Sequence, residues 1–433
     1  MTISKTPTIV RTGGLATAEA PPVDLPFRFL ATAVGSLALM ALVYPWHVPL
    51  LTESFYAPHL TTFVHVNTLG FVGATILGAS YQLLPVVLQT PLASVRLGRL
   101  SWWLYLPGLL ALLIGLAGGW AWLASAGGAL LFAAVTGYVV NVGLTLVRVR
   151  RRDPVYWHVV AAIGCLAVAL SLGLLLALSK GSGLLGTLTL PTLAAHAVLM
   201  IGGWVTTMLT GVAYRLVGMF TLAEDRVRWR WTWVSLGLIQ SGAWTLAASL
   251  LLGGSRSLNL TGAAALLAGV GVFGTHLLAL YRQRRRRAFD IHVPFLLSSL
   301  AFGIAAGTLV LMGFATGREP NDAIWIAAGW LAIVGWAETA IMGFLYKIGT
   351  FLTWLHRYAP LAGRERVPKL DDLYDRRTAL AGWLCWSAGV ALGAVSALVG
   401  HEGLAAAAGI ALSVGAGGFL VNAARVGRHW RRC

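Results

Sequence analysis

Charge is what this 433-residue chain has least of: Asp, Glu, Lys and Arg together make up 11% of it, against about a quarter in a soluble globular domain. With 58% apolar residues and a mean hydropathy of +0.76, a water-soluble fold is excluded. Cysteine is nearly absent too. Cys165, Cys385 and Cys433 show neither pairing nor ligand spacing, which excludes a disulfide framework and a thiolate zinc site. Residues 1–26 hold Pro7, Pro21 and Pro22 and lack the short apolar core and cleavage site of a secretory signal, so they read as a disordered cytoplasmic tail.

What the chain does have is a succession of apolar runs. Runs long enough to cross about 30 Å of hydrocarbon start near Phe27, Thr61, Trp102, Leu130, Tyr156, Leu193, Trp231, Leu260, His292, Ile324, Ala379 and Leu404. They predict an all-α integral membrane protein of twelve transmembrane helices. Of the 32 Lys and Arg, only Lys180, Arg256 and Arg318 fall on one side of those helices. The positive-inside rule then puts both termini in the cytoplasm, and the setting is a bacterial or archaeal plasma membrane. The arginine clusters sit at helix ends rather than on one folded face. They read as topology signals and contacts to anionic lipid, with no nucleic-acid partner. The 18 Trp, many near helix ends, read as interfacial belts.

A pattern of glycine and aromatic residues occurs three times. It reads Gly70, Phe71, Gly78, Tyr81; then Gly203, Trp204, Gly211, Tyr214; then Gly335, Trp336, Gly343, Tyr346. The first glycines are spaced 133 and 132 residues apart, which predicts three parallel four-helix repeats around a pseudo-threefold axis along the membrane normal. The repeats cover about 27–152, 153–287 and 288–424, together one membrane domain, with 425–433 as a basic cytoplasmic tail. Their signature marks the second, sixth and tenth helices, and the bland function of its glycines is close helix packing. Asn141, His276 and Asn422 hold matching places ahead of the arginines that end helices four, eight and twelve.

Ionisable residues inside apolar spans are costly, and each needs a reason. His59 and His65 open the second helix and His196 opens the sixth, all in the outer third of the membrane, where they can converge. Imidazole ligates haem iron, copper and zinc. His65 and His196 are therefore candidate cofactor ligands, and His59, His65 and His196 a candidate metal set. His47 and Glu53, in the same outer region, are further candidates for copper. Each histidine can equally serve a plain hydrogen bond to water or a neighbouring helix. Glu338, a carboxylate inside the tenth helix, is a candidate proton relay. Gln82, Arg215 and Lys347 follow the repeated tyrosines and are expected to snorkel at the cytoplasmic ends; His158 and His292 are expected at the cytoplasmic interface.

Through its helix order and the segments His65–Gly73 and Ala195–Trp204, the chain resembles the haem-copper oxidase superfamily, specifically the subunit I type of cytochrome c oxidase and the nitric oxide reductase large subunit. The resemblance covers nearly the whole chain. It implies that His65 matches the axial ligand of a low-spin haem and His196 a ligand of the copper beside a second haem. At the positions where that family has two more histidines on the tenth helix, this chain has Ala328 and Trp330, and the segment 231–252 contains no histidine. The ligand set therefore reads as degenerate. The expected function is to bind at most one haem or metal near the outer face, in electron transfer, in sensing or as a subunit of a respiratory complex, beside other subunits or a cytochrome donor. Catalysis is not the favoured expectation. An active terminal oxidase or nitric oxide reductase with unusual ligands, and a metal or small-solute permease, are the alternatives.

Overall fold

The computed structural model describes residues 19–52, 57–285, 290–319 and 322–431. Among them are twelve helices long and apolar enough to cross a membrane. They are α1 (Asp24–His47), α2 (Pro58–Val87), α3 (Val95–Ala117), α4 (Ala121–Val147), α5 (Pro154–Ser182), α6 (Gly186–Thr221), α7 (Trp229–Leu251), α8 (Arg256–Arg282), α9 (His292–Thr316), α10 (Ala323–Arg357), α11 (Arg376–Val399) and α12 (Glu402–Trp430). Several start ahead of their apolar runs because a polar side chain caps them. The Ser94, Asp153 and Ser255 side chains accept hydrogen bonds from backbone N–H groups in the first turns of α3, α5 and α8. α12 runs on through Arg425 and Arg428, so most of the basic segment expected as a tail is helix. Of the expected N-terminal tail, residues 1–18 lie outside the described residues, and α1 already begins at Asp24.

The signature glycines seat the first helix of each quartet. A Cβ at Gly70, Gly203 or Gly335 would come within 2.6 Å of Ser36, 2.8 Å of Cys165 or 2.7 Å of Phe302, on α1, α5 and α9 respectively. A Cβ at Gly78, Gly211 or Gly343 would come within 2.8 Å of Phe29, 2.4 Å of His158 or 2.7 Å of Phe295, on the same three helices. Any side chain there would push the helices apart. The matched polar positions also do one job three times. Asn141 Oδ1 accepts from the backbone N–H of Ser94, His276 Nε2 from that of Arg228, and Asn422 Oδ1 from that of Asp375. Each pins the turn just ahead of α3, α7 or α11.

Glycine packing does not account for a second shared feature. α2, α6 and α10 each contain eight π-helical residues, Val66–Gly73, Val198–Val205 and Leu331–Glu338. A π turn accommodates about one extra residue, so side chains beyond it are rotated by about 100° relative to an unbroken α-helix. In α6 and α10 a threonine closes the π segment: Thr206 Oγ1 donates to the Ile201 carbonyl at 2.8 Å and Thr339 Oγ1 to that of Val334 at 2.9 Å. The π segment of α10 packs against those of both α2 and α6. These three helices thus form the centre of the bundle, with the other nine around them.

Two expectations at the basic face are corrected. Lys347 does not snorkel: its side chain is 4% exposed, and Nζ lies 2.8 Å from Asp290 and 3.5 Å from Asp371. A charge held inside the bundle keeps its place only by such pairing. His158 and His292 are buried rather than interfacial, because the signature glycine Gly211 draws His158 into the helix contact and Asp290 lies beside His292.

Candidate functional site

His65 is the last α-helical residue before the π segment of α2, and its Nδ1 lies 2.7 Å from the Thr61 carbonyl oxygen one turn earlier. His196 stands two residues before the π segment of α6. Its Nδ1 lies 2.7 Å from the carbonyl oxygen of Ala169 on α5. A carbonyl oxygen only accepts, so each Nδ1 carries the hydrogen and each Nε2 keeps its lone pair. This is the arrangement that fixes the tautomer and orientation of ligating histidines. Gly173 makes room for it: a Cβ there would sit 2.8 Å from His196 Cε1.

Both rings line one cavity of about 200 Å³ between α2, α3, α4, α5 and α6, with Ile333 of α10 also in its wall. Along α2 it runs from Thr61 to Leu77, roughly 20 Å of helix. Its walls are mainly leucine, valine and glycine, with Lys180 and Thr61 at the end nearer the less basic face. Trp204 also lines it. That indole is 3% exposed, and its Nε1 has no hydrogen-bond partner among the described residues. The resemblance assigns His65 and His196 to two separate centres. Here one cavity takes both.

His59 does not join them. It is exposed on the first turn of α2 and is absent from the cavity wall. Pro58 opens α2 and so places His59 at an exposed position in its first turn. Among the described residues no group of three or more His, Cys, Asp or Glu could hold a metal ion, so the expected three-histidine set is not assembled. His47 donates Nδ1–H to the Val43 carbonyl and stacks on Phe63, away from the cavity. Glu53 lies outside the described residues.

The other two quartets present different interiors. Between α6 and α10 an apolar cavity of about 240 Å³ contains no histidine in its wall, and Trp336 reaches across it to donate to Thr206 Oγ1 at 2.9 Å. Between α10 and α2 the space is filled by Tyr44, Phe63, Trp330 and Trp386 in mutual ring contact. Trp330 donates to the Val390 carbonyl and Trp386 to Thr339 Oγ1. Glu338 lies in this third region, fully buried. Its Oε2 accepts from Tyr44 at 3.4 Å, and Oε1 has no partner among the described residues. The same Tyr44 hydroxyl is 3.3 Å from Asn67 Oδ1, so α1, α2 and α10 meet at one polar point.

Sequence reasoning singled out both histidines but missed Trp204 and Gly173. A signal for Trp204 was present. Its repeat partner Trp336 donates to Thr206, and the residue matching Thr206 in α2, 133 positions earlier, is Gly73, which has no side chain.

No family model and no curated protein matches the chain. Among solved structures it is similar to a haem-copper terminal oxidase determined as a dimer by cryo-electron microscopy. The TM-score is 0.70 at 9% identity, covering 93% of this chain and 84% of that one. At that identity the likeness speaks for architecture, and this twelve-helix membrane protein has the fold of a haem-copper terminal oxidase.

Proposed function

We propose that this is a haem-copper-oxidase-like membrane protein without a complete binuclear centre, and that its working site is the cavity shared by His65 and His196. One observation carries the reading: two imidazoles, each anchored through Nδ1 to a backbone carbonyl so that Nε2 keeps its lone pair, line the same apolar space. This donor set fits a haem, which needs only axial ligands from the protein. It suits a lone metal ion less well, since structural ions take about four ligands. A copper ion completed by ligands from elsewhere remains the second form of the same reading. A bound haem would supply a one-electron couple. The chain's own part is to orient both imidazoles through Thr61 and Ala169, to keep water out with the leucine and valine wall, and to raise no charge barrier at depth.

The role that follows is electron transfer or sensing, alone or within a larger respiratory complex, in a plasma membrane with both termini cytoplasmic. Glu338 is assigned to holding a proton inside the bundle through Tyr44. The active-oxidase alternative gains nothing from the second and third quartets: no histidine lines the cavity between α6 and α10, and Trp330 and Trp386 take up the space between α10 and α2. Purified protein should show a Soret band, or copper by elemental analysis, that His65→Ala removes. A colourless, metal-free protein unchanged by that substitution would defeat the proposal.

A further inference from the structure

Trp204 carries information about the occupant that the histidines do not. It belongs to the set of buried indoles at the heart of the bundle with Trp330, Trp336 and Trp386, and the other three all donate to an acceptor within the protein. A buried N–H left without a partner gives up its hydrogen bond to water and gains none in return, so it calls for an acceptor. The repeat shows how this one arose. Where Trp336 finds the Thr206 hydroxyl, the equivalent place on α2 is Gly73, which lines the cavity beside Val72 and offers no side-chain acceptor. The protein acceptor is missing at the point where the cavity continues.

We infer that the indole N–H of Trp204 is a second anchor for the occupant of the His65–His196 cavity, so the occupant is an elongated organic ligand bearing a hydrogen-bond acceptor rather than a bare ion. The inference rests on the reading that those two imidazoles hold a ligand. Trp204 stands eight residues beyond His196 on α6, roughly 10 Å deeper. An ion at the imidazoles cannot span that distance; a haem-sized molecule with an oxygen acceptor on its edge can. The lone pairs bind at the outer end, the N–H binds at the inner end, and the apolar wall holds the length between.

The test uses full-length protein in lipid nanodiscs, depleted of any bound group and titrated separately with haemin and with Cu(II). Trp204→Phe keeps the ring's shape and deletes the donor. It should weaken haemin binding about tenfold and leave Cu(II) binding unchanged. Should that variant fold poorly, ultraviolet resonance Raman of wild-type indole N–H modes serves instead, and haemin should shift them to the hydrogen-bonded position. Haemin binding that is equal in both proteins, with unmoved indole modes, would overturn the inference. So would binding of Cu(II) alone, insensitive to Trp204→Phe, although that result would leave a single-metal reading standing. Binding of neither probe, with His65→Ala making no difference, would remove the reading itself.

Discussion

The first and third quartets share the signature glycine contacts and a π segment, yet one is open and the other is full. Between α2 and α6 the wall is leucine, valine and glycine, and two imidazoles face a space of about 200 Å³. Between α10 and α2, Tyr44, Phe63, Trp330 and Trp386 close the equivalent space with edge and stacked contacts. Glycines explain both outcomes. At Gly393 an added Cβ would strike the Trp330 indole at 2.7 Å, so that glycine admits a tryptophan. At Gly173 it would strike His196, so that glycine admits a ligand-bearing ring. A shared scaffold tolerates opposite interiors because the helix contacts lie in the signature glycines, not in what fills the middle.

The sharpest way to break this contrast is at the histidines. His65→Ala and His196→Ala should each abolish binding of the group, seen as loss of its visible absorbance or of bound metal, while the third quartet is untouched. Next is the aromatic filling. Trp386→Ala should destabilise the protein by about 3–5 kcal/mol in a detergent unfolding titration. Leu170→Ala, on the already open wall, should cost about 2 kcal/mol or less. Equal losses at the two sites would mean that the first quartet is as tightly filled as the third.

The polar point in the third quartet gives a smaller effect. Tyr44→Phe removes the one hydrogen bond Glu338 accepts among the described residues and should cost about 1–3 kcal/mol. Glu338→Gln keeps that bond and should change stability by less than about 1 kcal/mol. Gly173→Ala should leave the melting temperature nearly unchanged but lower occupancy of the cavity by displacing His196, as a binding titration would show.

The smallest effect lies outside the membrane, at Asp375. Its carboxylate accepts from the Thr378 hydroxyl and backbone N–H, and these bonds hold its pKa below the ordinary carboxylate value. A lowered folded-state pKa contributes stability above the unfolded value, which is lost as pH falls through the folded one. Acidification below the usual carboxylate range should therefore weaken the start of α11, and Asp375→Asn should flatten that dependence in a melt measured against pH.

Much of the architecture was legible in the residues. Apolar run length marked twelve spans, and the glycine pattern marked α2, α6 and α10 because only glycine fits where α1, α5 and α9 press against them. His65 and His196 stood out because ionisable side chains are rare in such runs. Their sharing of one cavity was not legible. Which way a side chain faces depends on the π segments beside it, and a spacing rule built on 3.6 residues per turn cannot register the extra residue each π turn absorbs. Lys347 was misread for another reason: its partner Asp290 comes from a different helix end, 57 positions away.

Electron paramagnetic resonance on wild-type protein and on the two single histidine variants tests the shared cavity most directly. A low-spin ferric signal typical of two imidazole ligands, or a copper signal split by two nitrogens, should disappear in both His65→Ala and His196→Ala. A signal that survives either substitution unchanged would contradict the claim that the two rings serve one group.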